Sequence, residues 1–189
     1  MDIHDPPSAE EQLIQRCLDG DLSAYHRMYE QHKEVMYNVA FRLHQNVQDA
    51  EDSMQDAFMK VFKALPDFRG DCRLSTWIYR ILLNTCFSRL KKNRGPVVHA
   101  EDIRETGPAS LPGPAEEPST RMILEEEIAH LPLGYRTVFV LYEVEGFTHQ
   151  EIADMLAISV GSSKSQLHKA KRILQGRLQP YREMLETNR

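Results

Sequence analysis

The chain has 189 residues, 41% of them apolar and 27% charged. That excludes a wholly disordered polypeptide and, at about 150 residues per domain, allows one ordinary domain or two small ones. No run of about 18 apolar residues is present, which excludes a bilayer-spanning helix. The formal net charge of −5 argues on its face against a nucleic-acid partner, but net charge does not report how charge is distributed.

The start, Met1-Asp2-Ile3-His4-Asp5-Pro6-Pro7, lacks the basic-then-apolar pattern of a signal peptide. Ser8-x-x-Glu11 is a capping-box pattern before Leu13, Ile14, Cys17 and Leu18, and Gly20 is placed to stop the helix. Asp21 is expected to cap a second helix with the stripe Tyr25, Met28, Tyr29, His32, Met36, Val39, Ala40 and Leu43. Asn46 is expected to cap a third, carrying Ala50, Met54, Ala57, Phe58, Val61, Phe62 and Leu65 and ended by Pro66. After a polar turn, residues 76–92 read as a fourth helix, with Trp77, Ile78, Ile81, Leu82 and Leu90 available for packing.

Residues 95–120 hold five of the ten prolines and three of the nine glycines. Such a segment is neither a continuous helix nor a central strand, and an interdomain linker is the better reading. Beyond it, residues 119–131 read as a helix before Pro132. The β-branched run at residues 138–144 would suit a strand by propensity, but no partner strand is in prospect and it is read as helix, ended by Gly146. No internal repeat is visible. The expected fold is therefore all-α, with two small helical domains. Residues 1–94 form the first, 95–118 a flexible acidic linker, 119–182 the second and 183–189 a tail.

Charge follows this division. Residues 68–94 carry seven bases against Asp71 alone, and residues 161–182 carry six bases and no acid. Residues 1–67 carry thirteen acids against six bases, and 95–130 eight against two. Two separated basic blocks in an acidic chain are the footprint of phosphate neutralisation, against the plainer reading of two solvated helix faces.

Thr148-x-x-Glu151 is a further capping box, opening a helix with Ile152 and Leu156 inward and Ala153 at a close crossing. Ala157-Ile158-Ser159 makes a short turn. A second helix follows with Val160, Ser163, Leu167, Ala170 and Leu174 inward. This is a helix-turn-helix layout, in which the second helix enters the major groove. Its exposed face would offer Ser162, Lys164, Ser165, Gln166 and Lys169. Lysine can read guanine, glutamine adenine and serine either, while further bases hold phosphates. In residues 68–84, aromatics interleave with bases, a pattern suited to stacking unpaired bases along a cationic track. Trp77 taken alone is better explained by core packing.

Asp49-Ala50-Glu51-Asp52-Ser53-Met54-Gln55-Asp56-Ala57-Phe58, then Phe68-Arg69-Gly70-Asp71, then Thr76-Trp77-Ile78-Tyr79-Arg80-Ile81-x-x-Asn84, then the helix-turn-helix, resemble bacterial sigma factors of the extracytoplasmic-function group. The resemblance covers roughly residues 10–178. It implies that Asp49, Asp52, Gln55 and Asp56 bind the clamp helices of the polymerase largest subunit, where the alternative is a solvated acidic face. It places Lys60, Lys63, Ala64, Phe68, Trp77, Arg80, Ile81 and Asn84 around the melted minus-ten strand. The loop from Phe68 to Leu74 resembles one that captures a flipped base. Ser162, Lys164, Ser165, Gln166 and Lys169 fall where the family reads the minus-thirty-five element.

Two positions depart from the pattern. Ser163 replaces an apolar residue, which implies looser packing, and Gln166 replaces a basic one, which puts a phosphate contact in doubt. The implied partners are core RNA polymerase, through its clamp helices and flap, promoter DNA, and an anti-sigma factor, commonly membrane-bound. The linker acids would mimic nucleic acid in the polymerase channel.

Other classes predict otherwise. A dimeric helix-turn-helix repressor would bind a palindrome unaided, and a sigma-like decoy would have no need of two basic blocks. An enzyme fits least. The eight histidines are scattered, His26 and His32 lack a third ligand at metal spacing, and no nucleophile–base pattern occurs. No catalytic residue, metal or cofactor is expected. Cys17, Cys72 and Cys86 are odd in number and lack C-x-x-C spacing, which argues for a reducing, cytoplasmic setting without disulfides or zinc. A lone thiol such as Cys72 is usually inert.

Overall fold

The computed structural model describes residues 8–94 and 120–187, with side chains through Asn93 and Tyr181. Among these the elements are α1 (Ala9–Leu18), α2 (Leu22–His44), α3 (Val47–Ala64), a 3-10 turn (Leu65–Asp67), α4 (Leu74–Arg94), α5 (Thr120–Ala129), α6 (Leu133–Phe139), a π-helical turn (Val140–Val144), α7 (His149–Leu156) and α8 (Val160–Thr187). No helix among them is long and apolar enough to cross a membrane. The linker and the tail's last two residues lie outside the described residues.

Local chemistry sets most boundaries. Ser8 and Glu11 close a reciprocal capping box on α1. Gly20, at φ +82°, then lets the Asp21 amide turn back onto the Arg16 carbonyl at 3.0 Å, a left-handed exit that suits glycine. The Asp21 carboxylate caps α2 through the Ser23 and Ala24 amides. Its hydrogen bonds to Ser23 and Arg16 hold its pKa down at about 2. Asn46 caps α3, and Pro66 follows in the 3-10 turn.

α4 starts at Leu74, two residues before the expected Thr76. The cause is tertiary: Glu10 of α1 reaches across to accept the Leu74 amide at 3.1 Å, supplying a cap that the local sequence lacks. The β-branched run at 138–144 is helical, as expected, but its second half widens into the π turn, where the Glu145 amide donates to the Val140 carbonyl.

Helices α1–α4 form one bundle, with Met28, Met36, Leu43, Val61, Ile78 and Leu82 fully buried. Helices α5–α8 form a second, around Leu141, Ile152, Leu167 and Ala170. The two apolar interiors run together into a single cluster. Contact is made by α7 against α4, and by α5, α6 and the π turn against α2. Arg42 donates to Glu125 at 2.8 and 3.1 Å and lies 3.8 Å from Glu145. Burial raises the Glu145 pKa, and Arg42 opposes that rise. The guanidinium of Arg136, only 4% exposed, donates to the carbonyls of Ala129 and Leu43. Cys86 is buried deeply enough to push its thiol up to about 12, so it stays protonated and unreactive.

Candidate nucleic-acid interface

The C-terminal site grows from the capping box at Thr148. The Glu151 carboxylate accepts the Thr148 amide at 2.9 Å, while the Thr148 hydroxyl accepts the Glu151 amide. Hydrogen bonds donated by the Thr148 amide and hydroxyl lower the Glu151 pKa, and a carboxylate at a helix N-terminus is favoured by the helix dipole. Ala157 adopts the left-handed conformation at φ +54° and turns the chain from α7 into α8, with Ser159 capping Ser162 through its side chain.

Ser163 makes a polar contact inside this unit. It is fully buried, and its hydroxyl shares a 2.9 Å hydrogen bond with Nδ1 of His149, whose ring stacks on Tyr142 at 4.3 Å. A polar pin between the two helices stands where a side chain with dispersion contacts alone would serve.

Of the five candidate residues on α8, Ser162, Lys164, Ser165 and Lys169 are exposed. The Ser162 hydroxyl pairs with Ser159 at 2.8 Å, and the Lys169 ammonium sits 5.8 Å from the Tyr135 ring. Gln166 departs from the expected open face. It is half-buried, with Oε1 beside Gly134 at the start of α6.

In the N-terminal unit, Trp77, Arg80, Ile81 and Asn84 form one stripe of α4 by their three- and four-residue spacing. Phe68 packs against Trp77 with ring centroids 5.1 Å apart, both half-buried, so Trp77 is neither wholly core nor a free platform. On α3, Lys63 is exposed and Ala64 half-buried. The Lys60 ammonium donates to Thr85 of α4 at 3.0 Å. The Arg80 Nε is buried with no hydrogen-bond partner among the described residues, an arrangement that normally calls for a further acceptor.

The acidic face of α3 is not simply solvated. Arg89 of α4 donates to Asp52 at 2.9 Å and Asp56 at 3.0 Å, and lies 3.7 Å from Asp49. Asn93 donates to both Asp49 oxygens at 3.3 Å. Burial opposes the Arg89 charge, but the hydrogen bond to Asp56 and the charge of Asp52 outweigh it and raise its pKa. Gln55 is exposed beside them. Sequence reasoning missed Arg89, Asn93 and the His149–Ser163 pin. Only the three- and four-residue spacing of Arg89 from Cys86 and Asn93 hinted at a shared face. Among the described residues no group of three or more His, Cys, Asp or Glu could hold a metal ion.

Residues 28–95 match the family model described as Sigma-70 region 2, and residues 121–174 match Sigma-70, region 4. The chain is 31% identical over 182 residues to the RNA polymerase sigma-H factor of Pseudomonas aeruginosa, covering 90% of this chain and 94% of that protein. It is 29% identical over 179 residues to the ECF RNA polymerase sigma-E factor of Escherichia coli K12, covering 89% and 93%. In fold it is similar to the sigma factor RpoE of Bartonella quintana, solved in complex with the anti-sigma factor NepR. That likeness has a TM-score of 0.67 at 23% identity, over 83% of this chain and 98% of that one.

Proposed function

This chain belongs to the RNA polymerase sigma factors of the extracytoplasmic-function group, and on that premise we propose how its parts divide the work of promoter recognition. Residues 1–94 dock on core polymerase through Asp49, Asp52, Gln55 and Asp56. They hold the displaced minus-ten strand on Lys60, Lys63, Ala64, Phe68, Trp77, Arg80, Ile81 and Asn84. Residues 119–182 grip the duplex minus-thirty-five element through Ser162, Lys164, Ser165 and Lys169. Gln166 is positioned to act from the edge of that surface.

The observation that supports this reading is the presence, in one chain, of two chemically different basic surfaces, one on α8 and one on α4 with Phe68. The α8 face is a cationic groove reader. The Phe68–Trp77 pair with Arg80 is a half-open stacking and cationic surface of the kind that offsets the cost of unstacking bases. A duplex-binding repressor has no use for the second surface. The chain carries no catalytic role in this reading, and phosphodiester formation belongs to the polymerase. Its place of action is the cytoplasm, and it acts as an alternative sigma factor under the control of an anti-sigma factor.

Run-off transcription with purified core polymerase on a genomic promoter library tests this. Discrete starts that depend on the chain are expected. Sequence-specific duplex binding without polymerase, together with no starts, would refute it in favour of a repressor.

A further inference from the structure

The polar face of α8 is not uniform, because two of its residues lean on the start of α6. Gln166 is half-buried, with Oε1 beside Gly134. One turn further on, the exposed Lys169 sets its ammonium 5.8 Å from the centroid of the half-buried Tyr135 ring. Residues three apart share a helix face, so adjacent positions of α6 back successive turns of α8. The backing is stiff. Arg136, the next residue after Tyr135, donates to the Ala129 carbonyl at 2.7 Å. Thr137, only 1% exposed, donates to the Leu133 carbonyl at 2.7 Å.

A neighbouring base shows what is distinctive about the ring contact. Lys171 is held by the Glu143 carboxylate at 2.7 Å, so its charge is neutralised within the protein. Lys169 has no ion pair among the described residues, and an uncharged ring holds it instead. An aromatic face attracts a cation through its quadrupole without cancelling the charge. The ammonium is thereby steadied and still able to displace counterions from a phosphate. Its place along the helix suits the duplex backbone better than the bases. Lys169 lies nine residues beyond Val160, where α8 begins, which is about 14 Å along the axis. In a recognition helix it is the N-terminal residues that contact base edges.

We propose that Tyr135 is a positioning residue for DNA: its ring holds Lys169 as a backbone clamp that fixes the register of α8 in the major groove. This rests on the reading of α8 as the minus-thirty-five reader, and adds to it a residue outside the helix-turn-helix. Lysine has a flexible four-carbon stem, and an ammonium already held in place loses less freedom when it meets its phosphate. Phosphate contacts carry no sequence information themselves, but they set register and orientation on the duplex.

The test uses holoenzyme and a labelled promoter found by run-off, with its upstream element intact or scrambled, titrated at low temperature before the strands open. Wild-type holoenzyme should bind the intact promoter more tightly than the scrambled one. Lys169→Gln should weaken binding to the intact promoter and reduce the slope of log affinity against log salt by about 1. Tyr135→Leu should weaken binding about two- to five-fold, the range of an exposed cation–π contact. It should cause no further loss in the Lys169→Gln background. Tyr135→Phe keeps the ring face and should bind as wild type does. Pentafluorophenylalanine at position 135 keeps the ring shape but reverses its quadrupole, and should bind as weakly as Tyr135→Leu. That comparison decides the question where Tyr135→Leu fails to fold.

An equal loss from Tyr135→Leu with and without Lys169 overturns the proposal, because a packing role needs no cation. Binding by the pentafluorophenylalanine protein that matches Tyr135→Phe overturns it too, as does an unchanged salt slope in Lys169→Gln. Equal binding of the two promoters by wild-type holoenzyme refutes something earlier, the reading of α8 as the upstream-element reader, and the inference falls with it.

Discussion

Removing the Ser163 hydroxyl isolates the pin that sets the two helices of the DNA-binding unit. Ser163 is fully buried, and its 2.9 Å partner His149 is half-buried. In Ser163→Ala the imidazole loses its bond but regains part of it from water, so the cost sits near the middle of the usual range, about 1 kcal/mol. At roughly 2–4 °C per kcal/mol for a chain of this size, the melting temperature should fall by about that much. His149→Phe keeps an aromatic ring over Tyr142 but strands the buried hydroxyl, which costs about 1–3 kcal/mol. The double variant pairs two apolar groups and should recover most of the loss, because deleting both partners of a buried hydrogen bond is nearly neutral. Calorimetry of the four proteins gives the cycle, with an expected coupling of about 1–2 kcal/mol. Simple additivity of the two single changes would show that the hydroxyl and imidazole do not sense one another, and the pin would be refuted.

Arg89→Ala should leave three carboxylates on α3 without their cation. Two charge-assisted hydrogen bonds on a partly exposed face make a loss of about 1–2 kcal/mol in denaturant unfolding, with weaker core polymerase binding than in Arg89→Lys. An Arg89→Ala protein of unchanged stability and core affinity would contradict this. Lys164→Ala should weaken initiation only on promoters that depend on the upstream element, by about 1–3 kcal/mol of recognition. Equal losses on promoters without that element would count against a base-reading role. Trp77→Ala should slow strand opening, followed by permanganate footprinting, more than it lowers closed-complex formation, and a thermal loss with no opening defect would assign the ring to packing alone. For Asp21, the folded carboxyl is held at about 2 against an ordinary 3.8. Its stabilisation is therefore present above the ordinary value and is lost as pH falls through about 2. Asp21→Asn should flatten that limb of a urea-stability profile, and an unchanged acid limb would refute the assignment.

Where a helix begins or ends in this protein is mostly a local matter, and it was legible in the sequence. Ser8, Asp21, Asn46 and Thr148 each offer an oxygen to amides two or three residues on, and Gly20 and Gly146 adopt positive φ. The apolar spacing along α2, α3 and the helix-turn-helix states which face is inward. The exceptions have tertiary causes. The start of α4 depends on Glu10, 64 residues away, and no window around Leu74 contains that information. Gln166 lies on the polar side of α8 by spacing alone, yet Gly134 of α6 leaves room for it to turn inward.

The candidate site was legible as residue types and order, but its connections were not. The acids of α3 and Arg89 of α4 are more than 30 residues apart, and either could be a solvated charge until the helices are set side by side. Ser163 looked like a packing defect because only the fold brings His149, 14 residues earlier, to its hydroxyl.

The amino-acid order alone determined an all-helical chain in two parts, with a helix-turn-helix in the second and an aromatic, basic helix in the first. Each of those statements rests on periodicity, capping and charge within short windows. Only the tertiary structure decided that the two parts close on one another through Arg42, Arg136 and the Tyr79–Phe147 contact. Those interactions join residues tens of positions apart, and their free energy exists only after both bundles have formed the surfaces that meet.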